Sequence, residues 1–187
     1  MKIYNPSVFF DFQTGKLKAE HVVSSVKKMK DLSGVFLDEE AFDKIDPDLI
    51  VYEVDALFPV EEGKSGGLFW GVTRIHSGKV NNEYFMTRGH FHANLDTAEF
   101  YWGIQGEGML ICMDTSGKVW AEKMEKDSLH YIPGGVAHRV ANIGNQPLVF
   151  GACWPSNAGH DYQTIAENGF AARLMEQNEE PVLIDTL

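Results

Sequence analysis

Nine short runs of β-branched and aromatic residues follow one another beyond Asp48, and this rhythm decides the fold class before any single residue does. LIVYEVDALF, LFWGVTRI, EYFMTRGHFH, AEFYWGIQ, GMLICMD, VWAEKM, LHYIP, HRVANI and LVFGACW each have strand length, and SGK, QGEG, TSGK, PGG and IGNQP break them with turn residues at hairpin intervals. No strand–helix–strand crossover pattern separates them, so a mainly β sandwich or barrel is expected. Upstream, Lys18 to Lys30 (KAEHVVSSVKKMK) sets Ala19, Val22, Val23, Val26 and Met29 at i, i+3, i+4, i+7 spacing, which predicts one amphipathic helix. After Trp154 the polar stretch PSNAGHDYQTIAENGF leads to a short apolar ending, PVLIDTL, read as a segment closing the barrel mouth. The chain therefore reads as a single domain over 1–187, with a helix-containing extension at 1–47, a barrel at 48–154 and a closing segment at 155–187.

The bulk numbers narrow the function. With 187 residues, 44% of them hydrophobic, the chain can build one substantial core. Sixteen Lys and Arg against 27 Asp and Glu give a formal charge of -11, and no basic cluster offsets it, so nucleic acid is not an expected partner. A phosphorylated metabolite needs only one locally positive spot and stays open. Cys112 and Cys153 lie in apolar stretches without CxxC spacing and read as buried thiols, in keeping with a reducing compartment. Neither a secretory h-region nor an apolar run of about 20 residues occurs, so a cytoplasmic protein with no membrane contact is expected.

His90-Phe91-His92 carries the first chemical signal. Residues i and i+2 of a strand share a face about 7 Å apart, close enough for two imidazoles to converge on one ion. Glu99 opens the next strand-like run after a bend (ANLDTA), and His138 follows the turn Pro133-Gly134-Gly135. Three imidazoles and a carboxylate without thiolate suit Fe, Mn, Ni or Zn. His21, His76 and His130 have no partner at ligand spacing and read as ordinary residues. Gly103, Gly106 and Gly108 open no helix, so they form no phosphate loop.

These residues resemble the cupin superfamily, small β-barrels with an internal metal. Pro133, Gly135, His138 and Asn142 match its P-x-G-x2-H-x3-N motif, and H-x-H with E-x6-G (Glu99, Gly106) matches the other. The six residues between His92 and Glu99 exceed the usual spacing, and Asp127 stands where the second motif begins with Gly. The longer form, T-x-G-H-F-H-A-x-L-D-x-A-E-x-Y from Thr87 to Tyr101, resembles cupin-type phosphoglucose isomerases, as does A-G-H-D-Y-x-T-I-A-E-x-G-F from Ala158 to Phe170.

That resemblance implies a cupin barrel, jelly-roll-like, with peripheral helical segments, that reversibly isomerises glucose 6-phosphate and fructose 6-phosphate in glycolysis and gluconeogenesis. It implies His90, His92, Glu99 and His138 as ligands of one divalent ion per subunit, with Fe2+ favoured over Mn2+, Ni2+ or Zn2+. It assigns Thr73, Thr87, the Gly89 N–H and Tyr162 to the substrate phosphate, and Tyr52, Tyr101 and His160 to the sugar. Trp154 stands where relatives carry Tyr, and Arg88 is expected to point away if its histidine neighbours point in. A homodimer is implied as well. The chemistry moves hydrogen between C1 and C2, either through a cis-enediol with Glu99 as base or by a direct hydride shift. Two other readings fit the motif: an iron-dependent cupin dioxygenase, and a non-catalytic sugar-phosphate-binding cupin. Activity on mannose 6-phosphate stays open.

Overall fold

The computed structural model describes residues 1–186; Leu187, the last residue of the closing segment, lies outside them. A small hairpin pairs β1 (Phe9–Asp11) with β2 (Lys16–Lys18), and β3 (Val22–Lys28), β4 (Ile50–Leu57) and β5 (Leu68–Ile75) follow. The two-residue strands β6 (Lys79–Val80) and β7 (Glu83–Tyr84) come next. Then β8 (Glu99–Gln105), β9 (Gly108–Asp114), β10 (Val119–Met124), β11 (Leu129–Ile132), β12 (Val136–Asn142) and β13 (Leu148–Pro155) run in close succession, before β14 (Ala172–Gln177) and β15 (Glu180–Asp185). The helical pieces are short: a 3-10 turn at Met29–Leu32, α1 (Glu39–Asp43) and α2 (Gln163–Asn168).

All named pairings are antiparallel. A six-stranded sheet runs β11-β8-β13-β5-β4-β3, a three-stranded sheet β10-β9-β12, and a four-stranded sheet β15-β14-β7-β6. Alternation decides which face is buried. Along β8, Glu99, Tyr101 and Gly103 are buried while Phe100 is 47% exposed, as period two requires. The buried side chains of the large sheet (Tyr101, Ile132, Leu148) join Leu110, Ile111 and Val140 of the three-stranded sheet in one core. β12 is buried at every position, because it has neighbours on both faces. This mainly β arrangement of antiparallel sheets is the expected fold class.

The expected helix over Lys18–Lys30 does not form. β2 ends at Lys18 and β3 takes Val22–Lys28, pairing with β4 from Val22 opposite Leu57 to Lys28 opposite Ile50. Val22, Val23 and Val26 are β-branched and stiff at χ1, which favours the pleated strand, and from it Val22 packs against the cluster of Leu17, Val72, Ile104 and Val149. Val23 and Val26 are 56% and 44% exposed. Only Met29 behaves as the helical pattern demands, and it sinks into the core from the 3-10 turn beside Leu32. Burying those two side chains contributes roughly 1.5–3 kcal/mol each. The extension up to residue 47 thus supplies an edge strand of the main sheet, and its helical parts are the 3-10 turn at Met29–Leu32 and α1.

Between β7 and β8 the expected run EYFMTRGHFH gives little ladder. Beyond Tyr84 it is held by isolated pairings of Met86 with Ala141, His90 with His138 and Phe91 with Asp161. The closing segment continues the fold: β14 and β15 form a hairpin through Asn178 and Glu179, both at positive φ as a type I′ turn demands, and β14 meets β7 at Met175 and Glu83. Asn142 is wholly buried, and its Nδ2 donates to the carbonyls of Ile75 and Gln146, both at 2.9 Å, while its Oδ1 accepts from the Gly144 N–H. The motif asparagine is thus a structural tie between β12, β5 and the following turn. No helix among the described residues is long and apolar enough to cross a membrane.

Candidate metal centre

Three elements converge between the large sheet and the three-stranded sheet. The 90–92 segment brings His90 and His92, the start of β8 brings Glu99, and β12 brings His138. One ligand atom from each of the four lies within 4.8 Å of every other, so the group could hold a metal ion. Glu99 Oε1 lies 2.5 Å from His138 Nε2 and 3.3 Å from His92 Nε2. Those approaches lack hydrogen-bond geometry: Glu99 Oε1 and the Nε2 atoms of His90, His92 and His138 are all buried without a hydrogen-bond partner among the described residues. Four orphaned buried donors aimed at one point are costly unless something binds them, and a divalent cation is what this N3O set fits.

The residues behind the ligands support the same reading. His92 Nδ1 lies 3.0 Å from the Thr97 carbonyl, and His138 Nδ1 lies 3.1 Å from that of Val136. Each N–H can donate there, which leaves the Nε2 lone pair facing inward. Burial, with His138 beside it, holds the His90 imidazole well below its ordinary pKa and keeps it neutral, the form a metal accepts. Burial alone would raise the Glu99 carboxyl, but His138 and His92 outweigh it and hold Glu99 ionised. Thr97 was not singled out by the motifs. Its role follows from the extra residues between His92 and Glu99, which let the bend return a carbonyl to His92.

A cavity of about 130 Å3 opens beside this cluster, and the structure brings every expected site residue to it or behind it. His90, Glu99 and His138 face it; His92 stands behind, 5% exposed. Tyr52, Thr73, Thr87, Gly89, Tyr101, His160 and Tyr162 complete its walls, with Trp154. Gly89 is required there: its φ is +82°, and a Cβ would meet Phe170 at 2.8 Å and Arg139 at 3.0 Å. The Tyr52 phenol is pushed up to about 12 by burial, and burial with the nearby Glu99 carboxylate pushes Tyr101 well above its ordinary value. Both stay protonated and can donate to a sugar oxygen. At the rim, His160 stacks on Tyr162 with ring centroids 5.7 Å apart and lies 4.6 Å from His90. Desolvation keeps its imidazole below the ordinary value and therefore neutral at pH 7.

Arg88 departs from expectation. It was to turn away from its histidine neighbours, yet it borders the same cavity, its guanidinium donating to the Asp31 carbonyl. The 85–92 segment is not a regular ladder, so strict alternation does not govern it. By contrast His130 is the ordinary residue expected: it is buried and bound to Glu122 and Ser128, each at 2.8 Å.

The fold and its donor set define a mainly β protein whose largely buried group of three histidines and one carboxylate could hold a metal ion. The sequence profile described as Glucose-6-phosphate isomerase (GPI) matches residues 26–183. The chain is 40% identical to the glucose-6-phosphate isomerase of Thermococcus litoralis, across 99% of this chain and 97% of that one. It is 41% identical to that of Pyrococcus furiosus, across 94% and 92%, and 36% identical to that of Sinorhizobium medicae, across 95% and 84%. It belongs to the glucose-6-phosphate isomerase family. Among solved structures, Bacillus subtilis oxalate decarboxylase at pH 4.6 overlaps 58% of this chain and 26% of its own, at 18% identity and a TM-score of 0.46.

Proposed function

We propose that this chain reversibly interconverts glucose 6-phosphate and fructose 6-phosphate with one divalent metal ion, Fe2+ in preference to Mn2+, Ni2+ or Zn2+. The observation that carries the reading is the convergence of His90, His92, Glu99 and His138 on one point at the wall of an open cavity, in a member of this family. When bound, the ion supplies Lewis-acid polarisation of neighbouring sugar oxygens, which acidifies the adjacent C–H.

The chain's own groups do the rest. Thr73, Thr87, the Gly89 N–H and Tyr162 hold the phosphate and so fix the far end of the open-chain sugar. Tyr52 and Tyr101, both protonated, donate to its hydroxyls. His160, neutral at the rim, takes the anomeric hydroxyl proton as the ring opens and passes it to the ring oxygen, which leaves as the C5 hydroxyl. In the aldose-to-ketose direction Glu99 removes the proton from C2 and returns it to C1, while the hydroxyl proton on O2 is delivered to O1. The ionised state of Glu99, enforced by His138 and His92, is the form that can begin this cycle.

A coupled assay before and after EDTA tests the whole reading. Turnover of fructose 6-phosphate is expected to vanish on chelation and to return with added Fe2+, without oxygen consumption. Activity unaffected by complete metal removal would sink the metal-dependent reading. Oxygen uptake would point to a dioxygenase, and a loaded but inert protein to a binding module. The same assay with mannose 6-phosphate defines the substrate range.

A homodimer belongs to the same reading. Phe100 and Trp102 on β8 lie opposite Tyr131 and Leu129 on β11, and Phe100, Tyr131 and Leu129 are 47%, 56% and 66% exposed on one outer face. Light scattering should return twice the chain mass of 21.0 kDa; a monomer at assay concentrations contradicts it.

A further inference from the structure

Behind the Thr87–Gly89 segment lies a second cavity, of about 140 Å3, which the isomerase reading leaves unused. Its walls carry three arginines, Arg88, Arg139 and Arg173, together with Phe170, Ala166 and Gly169, and no carboxylate among the described residues lines it. Among the described residues only Arg173 has an ionic partner there: its Nη1 lies 2.9 Å from Oε1 of the buried Glu83. Arg88 donates to the carbonyl of Asp31, and Arg139 Nη2 to that of Ala172 at 3.2 Å.

Arg139 is the telling member. It is 3% exposed, its guanidinium stacks 4.2 Å over the Phe170 ring, and its Nε has no hydrogen-bond partner among the described residues. Glu83 pairs with Arg173 and Arg88 is exposed, which leaves Arg139 as the buried guanidinium without an ion-pair partner among the described residues. Desolvating an unpaired cation is strongly unfavourable, and folded chains meet it with a counter-ion. In a chain of formal charge -11 a carboxylate could readily have been placed here, and none of the described residues places one. Planar forks of N–H donors in this number match an oxyanion.

We propose that this cavity binds a small tetrahedral oxyanion, inorganic phosphate or the phosphate group of a phosphorylated metabolite, held from within by Arg139 and Arg173 and at the mouth by Arg88. The site is distinct from the metal cavity, but Arg88 borders both, and Arg139 Cβ occupies the space that a side chain on Gly89 would need. Occupancy therefore immobilises a side chain that the substrate cavity shares.

The test is equilibrium dialysis of labelled inorganic phosphate against the metal-loaded wild-type chain, Arg88→Met and Ala166→Glu, with circular dichroism to confirm folding. Ala166 borders the second cavity and not the metal cavity, and glutamate is well tolerated in its helix. The substitution ties a carboxylate at the cavity wall that competes with free anion. Both variants are expected to bind phosphate about tenfold to a hundredfold more weakly than wild type. Phosphate retained equally by Ala166→Glu and wild type would place the anion in the metal cavity and overturn the proposal. So would the absence of binding to the wild-type chain at millimolar phosphate.

Discussion

Glu99→Gln is expected to lower turnover by about a hundredfold to ten-thousandfold, the range a general base contributes, with the fold intact. The amide keeps the shape of the side chain and can still offer an oxygen to the ion, but it cannot carry a proton from C2 to C1. The buried pair it forms with His138 and His92 also loses its charge, so some metal is lost. The decisive comparison is therefore turnover per bound metal. Native turnover per metal would remove Glu99 from the chemistry altogether. Running the wild-type reaction in D2O tests the Glu99 route: a proton that exchanges with solvent while on Glu99 leaves deuterium on the product carbon, an outcome a direct hydride shift does not give.

His138→Ala should lose metal at least a hundredfold more readily than wild type. Residues that merely orient ligands are worth about tenfold to a hundredfold in affinity, and His138 supplies a donor itself. It is 1% exposed, and its removal leaves the Glu99 carboxylate buried with one neighbour fewer. Metal content measured after dialysis, by elemental analysis, reads this directly. Full occupancy in a folded variant contradicts the ligand assignment. His130→Ala is the natural contrast, since that imidazole is buried in a polar network away from the ligand set and its loss should spare metal content.

Much of this was legible in the chain because it is written locally. Eight of the nine runs from LIVYEVDALF to LVFGACW became strands nearly end for end, since each carries its own alternation and its own turn residues, while EYFMTRGHFH kept only Glu83–Tyr84 as a strand. The ligand set was legible because H-x-H and P-x-G-x2-H-x3-N bind residue type to a fixed place in a hairpin. What escaped depends on partners distant in sequence. Val22, Val23 and Val26 fit a helical stripe in spacing, but β4 was waiting thirty residues on, and pairing with it decided the outcome. Arg88 defeated an alternation argument because its segment is held by single bridges rather than a ladder. The arginine cavity was invisible for a related reason: Arg88, Arg139 and Arg173 come from three separate segments and meet only once the closing hairpin is docked.

The replacement of a helix by β3 has a further consequence. A strand at the rim of a six-stranded sheet presents the backbone groups of its outer edge to any passing chain, and β3, paired only with β4 among the described residues, is seven residues long with two exposed valines. Lys27 and Lys28 stand at its end, the pairing with β4 slips between them, and the chain then turns into the 3-10 coil. Charge and a break in register together blunt that rim against runaway self-templating, so the chain can leave a valine-bearing border open without seeding fibrils.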